Sequence, residues 1–139
     1  MGSYLERSMK VLKRHGFMVQ KVETFNQFGN VRQDLFGFID ILAIHPSYGT
    51  VGVQVCGPGD FAEHMDKLLG PRREALMLWL LAGNKAVLVG WRKLKASGWT
   101  ARVVEFELGG EHLPELDVDT VGRIKAKDCP PLVDIWGSS

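Results

Sequence analysis

The sequence is poor in cysteine and contains no long apolar run. Its two cysteines, Cys56 and Cys129, are too few for a disulfide framework and form no CxxC metal pattern. No apolar stretch approaches the roughly 18 residues needed to span a bilayer, and the N-terminus lacks an apolar signal segment. We therefore predict a cytoplasmic protein that does not enter a membrane.

Neither sign of charge dominates the sequence. The 17 basic residues almost balance the 16 acidic ones, so no overall field attracts nucleic acid, and such a partner would need a local basic patch. The charge is uneven along the sequence. Residues 1–34 carry six basic and three acidic side chains, whereas residues 109–139 carry three basic and six acidic ones. This polarity permits an anionic ligand near the N-terminal half without requiring one.

Hydrophobic residues make up 45% of the 139 residues, as in an ordinary globular protein. We predict a single domain over 1–139, with an α/β core over about 4–108 and a turn-rich C-terminal extension over 109–139. Hydrophobic periodicity and the Gly and Pro breaks define the elements of this core. The predicted helices are 4–15, 60–69 and 71–82, the predicted strands are 17–22, 35–44, 50–56, 85–91 and 99–108, and the predicted loop is 24–33.

Asp40 is the most informative residue, because it interrupts a run that is otherwise apolar on both faces. An ionised carboxylate there costs several kcal/mol unless it is paired, hydrogen-bonded or bound to a cation. One interpretation is a ligand for a hard divalent ion such as Mg²⁺, which prefers oxygen ligands. The other is an aspartate at a strand end that is bonded to backbone or to an arginine.

Gln54 is the second candidate ligand, flanked by Val53 and Val55 on the next predicted strand. Its amide oxygen can ligate a metal, or the side chain can simply be satisfied within a sheet. The parity of the intervening turn decides between these interpretations. An even turn places Asp40 opposite Val55, whereas an odd turn or a bulge places it opposite Gln54 or Cys56.

Glu6 and Cys56 each have two interpretations. Glu6 follows Ser3 by three residues, which suits a capping-box glutamate as well as a group that reaches a metal ion through water. Cys56 shares the face of Gln54, but a catalytic thiol would need a base such as His45 or His64. Because no Cys/His signature is present, a small buried hydrophobe is the simpler interpretation of Cys56.

The order of these residues resembles the PD-(D/E)XK nuclease superfamily, and especially its small Holliday-junction-resolvase-like and phage-type members. Glu6-Arg7 matches the Glu-Arg that opens the family's first helix, and residues 15–19 match the end of that helix and the following strand. Asp40 matches the metal-binding aspartate in an apolar strand. Gln54-Val55-Cys56 stands where the family has Glu-x-Lys, so that Cys56 replaces the lysine.

The resemblance implies a restriction-endonuclease-like αβββαβ core with a mixed central sheet flanked by helices. It also implies hydrolysis of DNA phosphodiesters with Mg²⁺ or Mn²⁺ as cofactor. The implied ligands are Asp40, the Gln54 side-chain oxygen and the Val55 carbonyl, with Glu6 farther out. Cys56 cannot supply the charge of the missing lysine, for which Lys67 or Lys21 could substitute.

DNA is the expected partner, and the resolvase-like relatives imply a homodimer. The basic residues proposed to contact nucleic acid are Arg7, Lys10, Lys13, Arg14 and Lys67. The alternative for the first four is simply a solvated helix face. A second hypothesis is a degenerate nuclease fold that only recognises nucleic acid or a protein partner. A third is a structural or interaction protein unrelated to nucleic acid.

Overall fold

The structure is a computed structural model that describes residues 3–26, 31–96, 98–108, 118–119 and 135–136. Its helices are α1 (Ser3–Arg14), α2 (Phe61–Leu69) and α3 (Arg73–Leu81). Its strands are β1 (Met18–Lys21), β2 (Thr24–Asn26), β3 (Val31–Gln33), β4 (Ile41–His45), β5 (Gly49–Cys56), β6 (Lys85–Leu94), β7 (Gly98–Leu108) and β8 (Val118–Asp119).

The central sheet has the strand order β1-β4-β5-β6-β7-β8, and β2 pairs with β3 in a separate small sheet. Within the central sheet, β5 and β6 run parallel and the other neighbouring strands run antiparallel. The parallel pair needs a crossover connection, which α2 and α3 supply. The prediction of an α/β fold with a mixed sheet flanked by helices is confirmed at this level.

Helices cover both faces of the sheet and bury two separate apolar clusters. Leu12 of α1 packs with Ile41 and Val53 in the first cluster. Leu68 of α2 and Leu76 of α3 lie in the second cluster. Because side chains alternate along a strand, Gln54 and Cys56 belong to the face covered by α2 and α3. None of the helices described is long and apolar enough to cross a membrane.

The break between the two crossover helices follows the prediction. The Gly70-Pro71 pair separates α2 from α3, because a proline cannot donate the backbone hydrogen bond that a continuous helix requires. The predicted loop over 24–33 is wrong in part, since it contains β2 and β3. Strand β6 also continues three residues past the predicted end at Trp91, to Leu94.

The predicted strand over 35–44 is wrong in its first half. Strand β4 begins only at Ile41, and a tight turn with an isolated bridge between Leu35 and Ile39 precedes it. Phe36 and Gly37 both have positive φ, of 56° and 82°. A strand cannot contain this conformation, so the apolar composition of the run reflects burial beside α3 rather than an extended backbone.

Candidate metal centre

The turn before β4 brings two carboxylates together. The amide of Gly37 donates to the carbonyl of Asp34, and the amide of Ile39 donates to the carbonyl of Leu35. From α3's N-terminal side, Arg72 Nε donates to the Gly37 carbonyl at 3.1 Å. The chain therefore folds back on itself, and Asp34 lies beside Asp40.

The strand register places Asp40 next to Gln54. Only three residues separate His45 from Gly49, which are paired, and the pairing continues without a bulge to Ile41 and Val53. The Asp40 amide donates to the Val53 carbonyl at 2.9 Å. The odd turn length resolves the two possibilities left by the sequence in favour of Asp40 beside Gln54.

Asp40 is only 6% exposed, and its Oδ2 atom accepts two hydrogen bonds. The Val55 amide donates to it at 2.9 Å, and Gln54 Nε2 donates at 3.2 Å. In an extended strand the N–H and C=O of one residue point to the same edge, so the Val55 carbonyl is directed toward this edge as well. The three residues singled out as metal ligands therefore adjoin one another.

Gln54 is 2% exposed and bridges the two aspartates. Its Nε2 donates to Asp34 Oδ2 at 3.1 Å in addition to its bond with Asp40. Its Oε1 is buried and accepts no hydrogen bond from the residues that the structure describes. An unsatisfied buried acceptor costs about 1–3 kcal/mol. A half-turn of the amide would direct this oxygen at the carboxylates, where a bound cation or the proton of Asp40 would give it a partner.

Two residues that the sequence did not indicate as ligands complete the cluster. Carboxylate oxygens of Glu23, Asp34 and Asp40 all lie within 4.8 Å of one another. Lys67 of α2 approaches the same cluster, with its Nζ 3.8 Å from Asp34 Oδ2. Lys67, proposed as one substitute for the missing lysine, thus lies on the face of the sheet that carries Gln54.

The surroundings of Asp40 oppose its ionisation. Burial, together with a side-chain hydrogen bond and the negative charge of Asp34, raises the pKa of Asp40 from 3.8 to about 7. The bonds from Val55 and Gln54 act in the opposite direction but are outweighed. A pKa of about 7 favours the protonated form of Asp40 up to near-neutral pH, and a bound cation would replace that proton.

The residues present fit a hard divalent cation. Three carboxylates, an amide oxygen without a donor and a strand-edge carbonyl are oxygen ligands of the kind that Mg²⁺ and Mn²⁺ prefer. No soft ligand takes part, since the thiol of Cys56 is buried among apolar side chains. The site suits the cofactor that the family resemblance implies.

Cys56 has the properties of a core residue. The pKa of its thiol is raised to about 12, chiefly by burial and also by the charges of Asp60 and Asp40. The charges of Arg102 and Lys67 act in the opposite direction. A protonated thiol is a weak nucleophile. The two proposed bases also have other partners, because His45 Nδ1 accepts from the Ser47 amide and His64 Nδ1 contacts the Asp60 carbonyl. The simpler interpretation of Cys56 agrees with this environment.

Glu6 is exposed on α1, the helix on the opposite face of the sheet, and does not belong to the carboxylate cluster. The helix already includes Ser3, whose side chain lies outside the described part, so the capping-box interpretation stays a prediction. Lys13 is exposed on the same helix.

Three of the four cations of α1 line a separate cavity. Arg7, Lys10 and Arg14 surround about 250 Å³ beside Trp91 and Trp99. The Arg7 guanidinium lies 4.9 Å from the Trp99 ring and 5.6 Å from the Trp91 ring, which fixes it by cation–π contacts. Because α1 covers the other face, the structure does not bring these cations to the carboxylates.

Sequence reasoning missed Asp34 and Glu23 for identifiable reasons. Asp34 directly precedes the apolar run, but only the turn through Gly37 brings it back to Asp40. Glu23 follows β1, whose end is attached to the site by the bond from the Val22 amide to the Asp40 carbonyl. An acidic residue immediately before a buried run was the available signal for Asp34.

Neither a scan against protein-family models nor a search of the curated proteins finds a match for this chain. The chemistry of the site must therefore carry any statement about function.

Proposed function

We propose that the protein is a divalent-metal-dependent nuclease that hydrolyses DNA phosphodiesters, with a junction-resolvase-like enzyme as the nearest type. The observation that carries the proposal is the contact of Asp40 with Gln54 and Asp34 at the start of β4, with Lys67 beside them. A buried acidic cluster next to a cation is suited to phosphoryl chemistry, because both metal ions and lysines stabilise the charge of a phosphate.

The element order supports a restriction-endonuclease-like core within the α/β fold. Helix α1 is followed by the antiparallel strands β1, β4 and β5, then by the crossover helices, and then by β6 parallel to β5. This is the αβββαβ order that the resemblance implies, with the small β2–β3 hairpin inserted between the first two strands. The position of Asp40 immediately before β4, beside Gln54 on the adjacent strand β5, agrees with the resemblance as well.

Hydrolysis forms a bond from a water oxygen to phosphorus and breaks the bond to a sugar oxygen, which takes up a proton. When bound, the divalent cation supplies Lewis-acid stabilisation of the phosphate and lowers the pKa of water. Asp40, Asp34 and the Val55 carbonyl would hold it, and the Oε1 of Gln54 would gain a partner. The Val55 amide keeps the Asp40 carboxylate oriented throughout.

Lys67 takes the role that Cys56 cannot fill. Its ammonium group is partly exposed and paired with Asp34, so it can contact a phosphate that lies above the carboxylates. A lysine delivered from α2 rather than from β5 reaches the same region, because α2 covers the face on which Gln54 and Cys56 lie. In this proposal Lys67 stabilises the charge that develops on the scissile phosphate.

Cleavage of branched, duplex and single-stranded DNA by the purified protein, with Mg²⁺, Mn²⁺ or EDTA, tests the proposal. We expect metal-dependent cutting that Asp40→Asn and Lys67→Gln each reduce by about 100-fold or more, as for the loss of one stabilising group. The matched control is Asp66→Asn, a change to an exposed carboxylate on α2. Equal activity in Asp40→Asn would refute the assignment. Light scattering of the same sample tests the homodimer.

A second candidate is a nuclease fold that recognises nucleic acid without cutting it. This candidate is favoured by Cys56, which stands where the resemblance has a lysine, because a buried thiol with a pKa raised to about 12 cannot stabilise the charge of a phosphate. It predicts salt-sensitive DNA binding and no cleavage on any substrate. Cleavage that stays absent when metal ions are added would then distinguish this binding protein from the enzyme.

A further inference from the structure

A second cavity lies just beyond the carboxylate cluster and is lined by arginines. It has a volume of about 270 Å³ and lies between the loop after β5, the start of α2, and the ends of β6 and β7 that meet there. Arg92 and Arg102 contribute its charged wall, and Gly57, Gly90 and Phe61 contribute its floor and side. Its size suits one phosphate with its sugar rather than a large ligand.

Gly57 and Gly90 both line the cavity, and Gly90 is the one that lets α2 approach the sheet. A Cβ on Gly90 would lie 2.5 Å from the Phe61 ring, and a Cβ on Gly57 would lie 2.5 Å from the Tyr4 ring. Both distances are far shorter than a normal contact. The absence of a side chain at Gly90 therefore allows the aromatic ring of Phe61 to lie against β6, where it forms one side of the cavity, whereas Gly57 makes room for Tyr4 of α1.

The arginines are positioned for an anion rather than for an internal ion pair. The guanidinium of Arg102 stacks on the Phe61 ring at 4.2 Å, which limits its freedom and leaves its N–H edge available. Within the described ranges neither Arg92 nor Arg102 forms an ion pair. Asp60 lies nearby before α2, but its carboxylate does not cap the helix and does not pair with these arginines.

The strand register fixes the relation of this cavity to the carboxylate cluster. Cys56, Gly90 and Arg102 lie in one row across β5, β6 and β7, and Gln54 lies two residues away along β5. Strands about 4.8 Å apart and a rise of about 3.4 Å per residue place the Cα atoms of Gln54 and Arg102 about 12 Å apart. Arg92 and Arg102 share the face of Gln54, because each lies an even number of residues from a member of that face.

We infer that the cavity lined by Arg92 and Arg102 is the binding site for a backbone phosphate a few nucleotides away from the bond cut at Asp40. The inference rests on the proposed nuclease function and identifies the substrate path as running from the carboxylate cluster past the loop after β5 to β7, because Cys56 itself is buried beneath α2. Successive phosphates of one strand advance by about 3.4 Å along the duplex axis, so a separation of about 12 Å corresponds to a few nucleotides. Guanidinium groups suit this role, because they bind phosphate oxygens in a bidentate manner.

Oligonucleotide binding measured by fluorescence anisotropy over a series of salt concentrations tests the inference. The measurement uses the full chain with Asp40→Asn, in EDTA, so that neither cleavage nor metal binding takes part. We expect Arg92→Gln and Arg102→Gln each to raise Kd about tenfold and to reduce the slope of log Kd against log salt by about one. The matched control is Lys93→Gln, the neighbouring cation on β6, which points to the opposite face and should change neither quantity.

Arg102→Lys separates phosphate binding from a structural role. It keeps the charge but loses the planar fork and the stacking on Phe61, so we expect the salt slope to be retained while Kd rises. Circular dichroism of each variant verifies the fold. Salt slopes for both glutamine variants equal to that of Lys93→Gln would overturn the inference, even if the protein cuts DNA. Slopes reduced in a protein that never cuts would refute the nuclease and leave the phosphate site standing.

Discussion

Replacing Asp40 with asparagine should stabilise the metal-free protein at neutral and alkaline pH while removing the proposed metal-dependent cleavage. The carboxyl is buried beside Asp34, and its pKa is raised from 3.8 to about 7. Asparagine has the same shape, and its carbonyl oxygen can still accept the bonds from the Val55 amide and Gln54 Nε2. Its amide can donate to Asp34, which replaces repulsion with a hydrogen bond.

The sign of the pH dependence follows from linkage. Between pH 3.8 and about 7 the unfolded carboxyl has lost its proton and the folded one keeps it, so the unfolded state binds fewer protons. The free energy of unfolding therefore falls as the pH rises through this window and levels off above pH 7. A pKa displaced from 3.8 to about 7 corresponds to at most about 4 kcal/mol.

Urea denaturation in EDTA at pH 5, 6, 7, 8 and 9 measures this effect. We expect Asp40→Asn to be about 1–4 kcal/mol more stable than the wild type at pH 8, with the difference shrinking toward pH 5. The control variant Asp66→Asn removes an exposed carboxylate, and its free energy of unfolding should stay close to that of the wild type at every pH. A less stable asparagine variant at pH 8, or a difference independent of pH, would refute the reasoning.

Three further outcomes follow from the same site and its neighbours. Mn²⁺ affinity measured by titration calorimetry should fall about tenfold per pH unit below pH 7, because binding must displace the proton of Asp40, and an affinity independent of pH would contradict this. In a Cys129→Ser background, Cys56 should react with a thiol reagent only at the rate of unfolding, because the thiol is buried and its pKa is raised to about 12. Rapid reaction in native buffer would contradict this burial. Gly90→Ala should cost about 1–3 kcal/mol in urea denaturation, because the new Cβ would lie 2.5 Å from the Phe61 ring, and an unchanged midpoint would show that the ring moves freely.

The sequence was sufficient to identify Asp40, because a charged residue in an apolar run must have a partner whatever the fold. It also contained the helix break, since Gly70-Pro71 acts locally on the backbone. The contact between Asp40 and Gln54 required the parity of the hairpin turn. Gly49, which adopts a φ of 81° next to the turn, was the local sign of a three-residue connection.

Other parts of the site depend on long-range packing that no local pattern encodes. Lys67 follows Asp34 by 33 positions in the sequence, and their contact arises from the way α2 packs on the sheet. The turn through Phe36 and Gly37 was missed because an apolar run of that length is compatible with a buried strand. Arg102 became a candidate only when the register aligned it with Gly90 and Cys56.

The most direct test of the central claim is the position of a bound metal ion, determined from the anomalous signal of Mn²⁺ in crystals of the protein. We predict one peak within about 2.0–2.3 Å of carboxylate oxygens of Asp34 and Asp40, with the Oε1 of Gln54 or the Val55 carbonyl as a further ligand. Crystals of the Asp40→Asn variant, prepared in the same way, should show no peak there. A Mn²⁺ ion bound elsewhere, or a cluster that stays empty under conditions in which the protein cuts DNA, would contradict the account.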